Sequence, residues 1–146
     1  MSSTVPFATT IEVRDACLCL HAQRTARVLA RRFDEALRPV GLTNGQFSLL
    51  TSLNQPQPPS IGVVARLLAM DRTTLTAALK PLARRGLVAM AADPADRRSR
   101  RLRLTTAGQK ALAAAVPIWR KTHDAIEREL RGFNTDRLRA ALRQLA

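Results

Sequence analysis

Two short apolar runs at helical spacing, joined by a four-residue turn, set the tightest limit on how this chain can fold. The first follows Ser60 and carries Ile61, Val64, Ala65 and Leu68; the second follows Asp71 and carries Leu75, Ala78, Leu79 and Leu82. Ser and Asp are residues that start helices, because their side-chain oxygens take up backbone amides that lack an intrahelical partner. LAMD lies between the runs, and the second ends at Arg84-Arg85-Gly86, where a helix C-terminus favours cations and then a glycine. The pattern predicts a helix-turn-helix.

The segment after the second helix narrows the fold further. An apolar run over 87–92 leads into DPADRRS, and over 101–105 Leu102 and Leu104 alternate with Arg101 and Arg103. Alternation of this kind predicts a hairpin with one packed face and one polar face. Five arginines occupy the seven positions 97–103. A basic hairpin after a helix-turn-helix is the winged-helix arrangement, in which the second helix enters a major groove and the hairpin reaches an adjacent groove or phosphate. The candidate DNA-facing residues are therefore Arg72, Thr73, Thr74, Thr76 and Lys80 on the helix, and Asp96, Arg97, Arg98, Arg100 and Arg101 on the wing. Arg72 is placed for a base edge and Lys80 for the backbone. Arg97 and Arg98 sit at the tip, where a narrow minor groove concentrates negative potential.

The flanks read as helices. Thr9-Thr10-Ile11-Glu12 has the form of a capping box, and apolar residues recur at spacings of three and four from Ile11 to about Arg38, before Pro39 and Gly41. One helix of that length spans about 40 Å, more than a small domain is wide, and so must pack against something beyond one subunit's core. Thr43 and Gln46 form a second box ahead of a shorter helix that stops at the turn-forming QPQPP. Thr105 or Thr106 starts a helix running to about Leu130, which Pro117 is expected to kink or divide, and Asn134 starts the last, through Leu138, Leu142 and Leu145. Pro81 is expected to bend the recognition helix. The fold class is mostly α with a small β-hairpin: an N-terminal dimerisation helix over 1–42, a DNA-binding lobe over 43–105, and C-terminal dimerisation helices over 106–146.

Charge points the same way. The chain carries 24 Lys+Arg against 11 Asp+Glu, a net +13, and residues 66–103 alone hold 10 of those cations against 3 acids. An excess so concentrated implies a polyanionic partner, such as nucleic acid or an anionic membrane surface, and the winged-helix pattern favours double-stranded DNA. Aromatic residues make up 3% of the chain, which favours helices over sheets. Cys17 and Cys19 form no disulfide framework, and no zinc or other metal pattern can be drawn with His21 and His123. No cofactor motif or catalytic constellation stands out, so an enzyme is not expected, and Glu127 and Glu129 read as a solvated face. No apolar stretch reaches membrane-spanning length and the first residues do not read as a signal peptide, so a cytoplasmic protein is expected.

From Thr43 to about Leu112 the chain resembles the MarR (multiple antibiotic resistance regulator) family of bacterial repressors. The residues that carry the likeness are LTNGQFSLLTSL, VVARLLAMDRTTLTAALKPLARRGLV and DPADRRSRRLRLTTAG. The resemblance implies a triangular homodimer on a near-palindromic operator, with Arg98 as the minor-groove residue and Asp96 as its orienter. It implies a repressor released by a small-molecule effector, in a pocket to which His21, Phe33 and Phe47 contribute. Some members of the family sense peroxides through a cysteine on the first helix, which leaves Cys17 and Cys19 open between packing and oxidation sensing. The tyrosines that orient that cysteine are absent here, and two cysteines two apart on one helix face opposite sides and cannot pair without unwinding it. A sequence-neutral nucleic-acid-binding protein is the alternative from a different class, since charge alone suffices for it.

Overall fold

Side-chain oxygens start five of the seven α-helices found among residues 4–146, which the computed structural model describes. Thr43 caps α3 (Asn44–Leu53), Ser60 α4 (Ile61–Leu67), Asp71 α5 (Arg72–Arg84), Thr105 α6 (Thr106–Glu129) and Asn134 α7 (Thr135–Leu145). At Thr43 the box is complete: the hydroxyl accepts from Gln46 N at 3.2 Å and the Gln46 amide oxygen accepts from Thr43 N at 3.1 Å.

The N-terminal segment departs from expectation. Instead of one helix there are two, α1 (Phe7–Ala16) and α2 (Leu18–Leu37), broken at Cys17, whose ψ of 108° is extended rather than helical. Cys17 Sγ accepts from Leu20 N at 3.4 Å and so caps α2, a task usually left to oxygen. Helix α1 starts two residues before Thr9, after Pro6 and with no side-chain cap, so the box expected at Thr9 does not form. Pro117 does not divide α6 either: the carbonyl it deprives of a partner belongs to exposed Ala113, where water can satisfy it.

Strands β1 (Val88–Ala92) and β2 (Arg100–Leu104) pair antiparallel, Val88 opposite Leu104 and Met90 opposite Leu102. The second strand is one residue out of step with the expected range, because Ser99 O closes the loop by accepting from Asp93 N and Thr105 is taken up as the α6 cap. The QPQPP turn is more than a linker. Pro59 O accepts from Leu102 N at 2.8 Å and Ser60 bridges to Arg101, so this segment lines the outer edge of the hairpin.

One core joins these parts. Leu50, Leu75, Leu79, Leu82 and Leu102 are fully buried between α3, α5 and β2, with Leu37 from α2 and Leu112 and Ala115 from α6 closing it. Each such leucine contributes roughly 1.5–3 kcal/mol of burial. Thr105 ties α6 to the lobe, its hydroxyl donating to Gly86 O at 2.5 Å and accepting from Gly108 N at 3.0 Å. Helix α2 lies along α6, where Arg32 forks onto Glu129; Glu127 pairs with Arg139 of α7. The two glutamates expected to form a solvated face are thus paired.

Candidate nucleic-acid interface

The exposed face of α5 is prepared by what its neighbours hold. Asp71 accepts from Thr74 N at 2.8 Å and from the Thr74 hydroxyl at 2.6 Å, and these bonds, the hydroxyl's above all, keep its carboxyl below the usual carboxylate range. The Thr76 hydroxyl donates to Arg72 O at 2.8 Å. Thr74 and Thr76, singled out as donors to DNA, therefore spend their protons inside the helix; Thr76 keeps its methyl for an apolar contact. Arg72, Thr73, Ala77 and Lys80 are exposed, while Leu75, Leu79 and Leu82 are buried on the opposite side.

The wing is built around a buried acid. Asp93, 7% exposed, accepts from Ala95 N at 2.9 Å and from Arg101 Nε at 3.0 Å. Arg101 also donates to Pro58 O at 2.9 Å. Its guanidinium thus fastens the hairpin to the 55–59 segment instead of facing outward with the other candidate arginines. Asp96 accepts from Arg98 N at 2.9 Å, a backbone bond that fixes the turn; among the described residues it has no ion pair with a wing arginine. The bond that the structure shows for Asp96 is thus to the main chain of Arg98 and not to an arginine side chain. Arg97, Arg98 and Arg100 stand exposed, with Arg103 beyond them.

Two residues that sequence reasoning did not single out complete the surface. An ideal Cβ on Gly62 would lie 2.8 Å from Arg72 Nη2 and 3.8 Å from Arg66 Nη1, so both guanidiniums gather over this buried glycine of α4. The only signal in the sequence is a glycine inside a seven-residue helix, one turn before Arg66. Among the described residues none of Arg66, Arg72, Lys80, Arg84, Arg97, Arg98, Arg100 and Arg103 forms an ion pair, whereas the nearby carboxylates of Asp71, Asp93 and Asp96 are all spent on scaffold bonds. The result is an uncompensated cationic face running from α4 and α5 to the wing.

The MarR family model matches residues 42–99. The transcriptional regulator MosR of M. tuberculosis, solved in complex with DNA, superimposes with a TM-score of 0.80 at 36% identity, covering 88% of this chain and 92% of that one. The chain belongs to the MarR family. Among curated relatives, the transcriptional regulator HosA of Escherichia coli O111:H- is 38% identical over 93 residues, 62% of this chain and 64% of HosA. The transcriptional activatory protein BadR of Rhodopseudomonas palustris is 34% identical over 87 residues, 58% of this chain and 50% of BadR. The matched segments thus span half to just under two thirds of those two relatives. Both are regulators of transcription.

Outside the winged lobe, the features expected of a MarR-family chain are only partly brought together. His21 is exposed on α2, its Nδ1 2.8 Å from Cys17 O, three helical turns from Phe33. It is not His21 but His123 that keeps company with Phe47: Phe47 stacks on Trp119 at 6.2 Å, and Trp119 on His123 at 5.0 Å. Phe33 and Phe47 are both partly buried against the core. A concave region of about 510 Å³ opens between α2 and α3, lined by Arg31, Asp34, Glu35, Arg38, Gly41, Leu42 and Thr43, none of them in the expected trio. In its wall Asp34 accepts from Asn44 N at 2.7 Å and from the Asn44 side chain at 2.8 Å, which lowers its pKa, the backbone bond first. Cys17 is half-buried at the helix break and Cys19 is exposed; both are free thiols. Among the described residues no helix is long and apolar enough to cross a membrane, and no cluster of three metal-ligating side chains occurs.

Proposed function

We propose that this chain is a homodimeric, sequence-specific DNA-binding transcription regulator. The uncompensated cationic face carries the reading. Acids in its neighbourhood are turned inward to hold α5 and the wing in place, and the cations are left for an outside polyanion. Residues 43–105 are the reading lobe; Thr73, Thr76 and Lys80 face the major groove with Arg72 at the start of their helix, and Arg97, Arg98 and Arg100 reach the neighbouring minor groove. Residues 1–42 and 106–146 form the dimer. Val13 and Leu18 near the N-terminus, and Leu138, Leu142 and Leu145 on α7, are exposed apolar residues, and a second copy would cover them. The relative MosR was solved on DNA, which supports the same partner here.

A duplex selected from a random pool by this chain tests the reading. A regulator prefers it to random duplex of equal length by about 10³ or more at physiological salt, and its footprint is a near-palindrome with half-sites roughly 10 base pairs apart. Equal affinity for both duplexes supports instead a sequence-neutral nucleic-acid-binding protein. We further place the chain as a repressor, since occupancy of an operator is enough to block transcription. Its effector would enter the 510 Å³ concavity beside the Asp34–Asn44 joint and loosen the lobe from α2. Expression of an operator-linked reporter should rise when the gene is deleted; a fall makes it an activator, as BadR's name describes BadR.

One observation favours a second way of releasing DNA. The chain is already unwound at Cys17, so the helical geometry that keeps two cysteines apart is interrupted at the place where Cys17 and Cys19 would have to meet. Oxidation of both thiols by hydrogen peroxide would form one S–S bond, release two water molecules, and draw the Cys17 Sγ away from Leu20 N, which it caps. Loss of operator binding on peroxide treatment, restored by dithiol and abolished in Cys17→Ser, is the expected result. Peroxide-resistant binding in the parent chain would count against it.

A further inference from the structure

Resting on the DNA-binding reading, we infer that Arg66 and Arg72 together hold a single backbone phosphate seated over Gly62, and that Arg72 is not a base-reading residue. The distances from the Gly62 Cβ position place Arg72 Nη2 and Arg66 Nη1 at most about 6.6 Å apart, the two separations end to end. Two N–H···O bonds of about 2.9 Å, one to each side of a phosphate group, span such a gap. Two guanidiniums so close repel unless an anion lies between them, and no carboxylate is within ion-pair distance of either among the described residues. Asp71, next in sequence to Arg72, is occupied by Thr74. The missing partner is thus an anion from outside.

Gly62 makes the seat. It is buried in the first turn of α4, and any side chain there would meet Arg72 Nη2 inside van der Waals contact, at 2.8 Å. The glycine leaves room for the Arg72 guanidinium, from the start of α5, to lie against α4. Base reading then falls to Thr73, Thr76 and Ala77, while Arg66 and Arg72 fix the register of the helix-turn-helix on the backbone. Arg66, on the last turn of α4 and exposed, is the half of the clamp not evident from the sequence.

The test uses the full chain, the duplex it selects from a random pool, and a random duplex of the same length, titrated across salt concentrations. Arg66→Ala/Arg72→Ala should lower the slope of log affinity against log salt by about one and weaken both duplexes by roughly fivefold near 0.15 M salt, leaving their ratio unchanged. Each single variant should lower the slope by less than one. Gly62→Ala should reproduce the Arg72→Ala loss with both arginines present, and melt within a few degrees of the parent, since only the tip of a flexible side chain must move. A double variant whose slope falls by two would mean two separate phosphates and overturn the shared clamp. An Arg72→Ala variant that relaxes preference at particular positions, with its slope intact, would restore Arg72 as a base reader. If the parent chain prefers neither duplex while its slope still responds to the arginines, the regulator reading fails but the clamp stands.

Discussion

The winged lobe and the terminal helices solve the problem of burial in opposite ways. From Leu42 to Leu104 most leucines are closed over by their own chain: Leu50, Leu75, Leu79, Leu82 and Leu102 have no exposed surface. Helices α1 and α7 bury no residue, although α7 carries Leu138, Leu142 and Leu145 at spacings of four and three. Both patterns are amphipathic, and periodicity alone does not separate them. The difference is where the covering surface comes from. For α3–α5 it is the hairpin, α2 and α6 of the same chain; α7 has no buried residue, and among the described residues its ion pair to another helix is Arg139 with Glu127. An exposed ion pair holds a helix weakly, and the bare leucines of α7 are the surface that we propose a second copy covers.

The largest expected effect breaks the comparison at α7. Leu142→Asp in both copies of a dimer forfeits the burial of two leucines, roughly 3–6 kcal/mol, and places a charge at each site. Sedimentation should then show monomers at concentrations where the parent is a dimer, while circular dichroism still reports a helical lobe. A dimer unaffected by Leu142→Asp would mean that α7 is not covered by its twin.

Next in size is a change at the seam between the regions. A Cβ on Gly108 would lie 2.0 Å from Leu87 O, a backbone atom that cannot step aside because Thr105 N already donates to it at 3.1 Å. Gly108→Ala should therefore cost about 3 kcal/mol even though Ala is the better helix former, and would separate α6 from β1. A urea melt within 0.5 kcal/mol of the parent would show that the seam yields, and that lobe and dimer helices are less firmly joined than the close approach implies.

Legibility in the sequence divides along the same line. Caps at Thr43, Ser60, Asp71, Thr105 and Asn134 were legible because each is a local signal, one oxygen meeting one amide within three residues. So was the wing, since Leu102 and Leu104 alternate with arginines. The break at Cys17 was not, for neither glycine nor proline marks it and a thiol is a weak cap; nothing local distinguishes this position from a continuous helix. The partners of Arg101 and Phe47 were equally hidden. Arg101 finds Asp93 and Pro58 O, and Phe47 finds Trp119, through tertiary approach that no spacing along the chain encodes. The candidate interface was thus legible by composition and face, and illegible in which of its arginines are committed.

A smaller effect sharpens the comparison at the α2–α3 joint. Asp34 accepts two bonds from Asn44, and its folded pKa is thereby lowered, so it stabilises the fold above the ordinary carboxylate pKa and that stability is lost as pH falls through the folded value. At pH 7 Asp34→Ala should cost about 1 kcal/mol, the ordinary loss for an uncapped helix start. As pH falls below the ordinary carboxylate range toward the lowered folded value, the parent's own Asp34 takes up its proton, and the two melting curves should converge. A gap of constant size from pH 7 to pH 3 would mean that the charge of Asp34 plays no part in holding α2 to the lobe.

The smallest effect lies inside the lobe, at a turn that its tertiary contacts hold in spite of local preference. Three helical segments end in the same pair of backbone bonds, one spanning five residues and one spanning three: Leu42 N to Leu37 O with Gly41 N to Arg38 O, Leu87 N to Leu82 O with Gly86 N to Ala83 O, and Met70 N to Ala65 O with Ala69 N to Arg66 O. The residue at the bend must be left-handed, which glycine accepts freely; in the helix-turn-helix it is Ala69, at φ 51°. An L-residue there costs roughly 1–2 kcal/mol, but glycine loses about 0.4–1 kcal/mol more backbone freedom on folding, which offsets part of that strain. Ala69→Gly should therefore stabilise the chain by a few tenths of a kcal/mol to about 1, a rise of a few degrees in Tm, with DNA affinity little changed. A fall in Tm would mean that unfolded-state entropy outweighs the strain. The lobe would then be holding its one non-glycine bend without cost, and the contrast with the terminal helices would rest on burial alone.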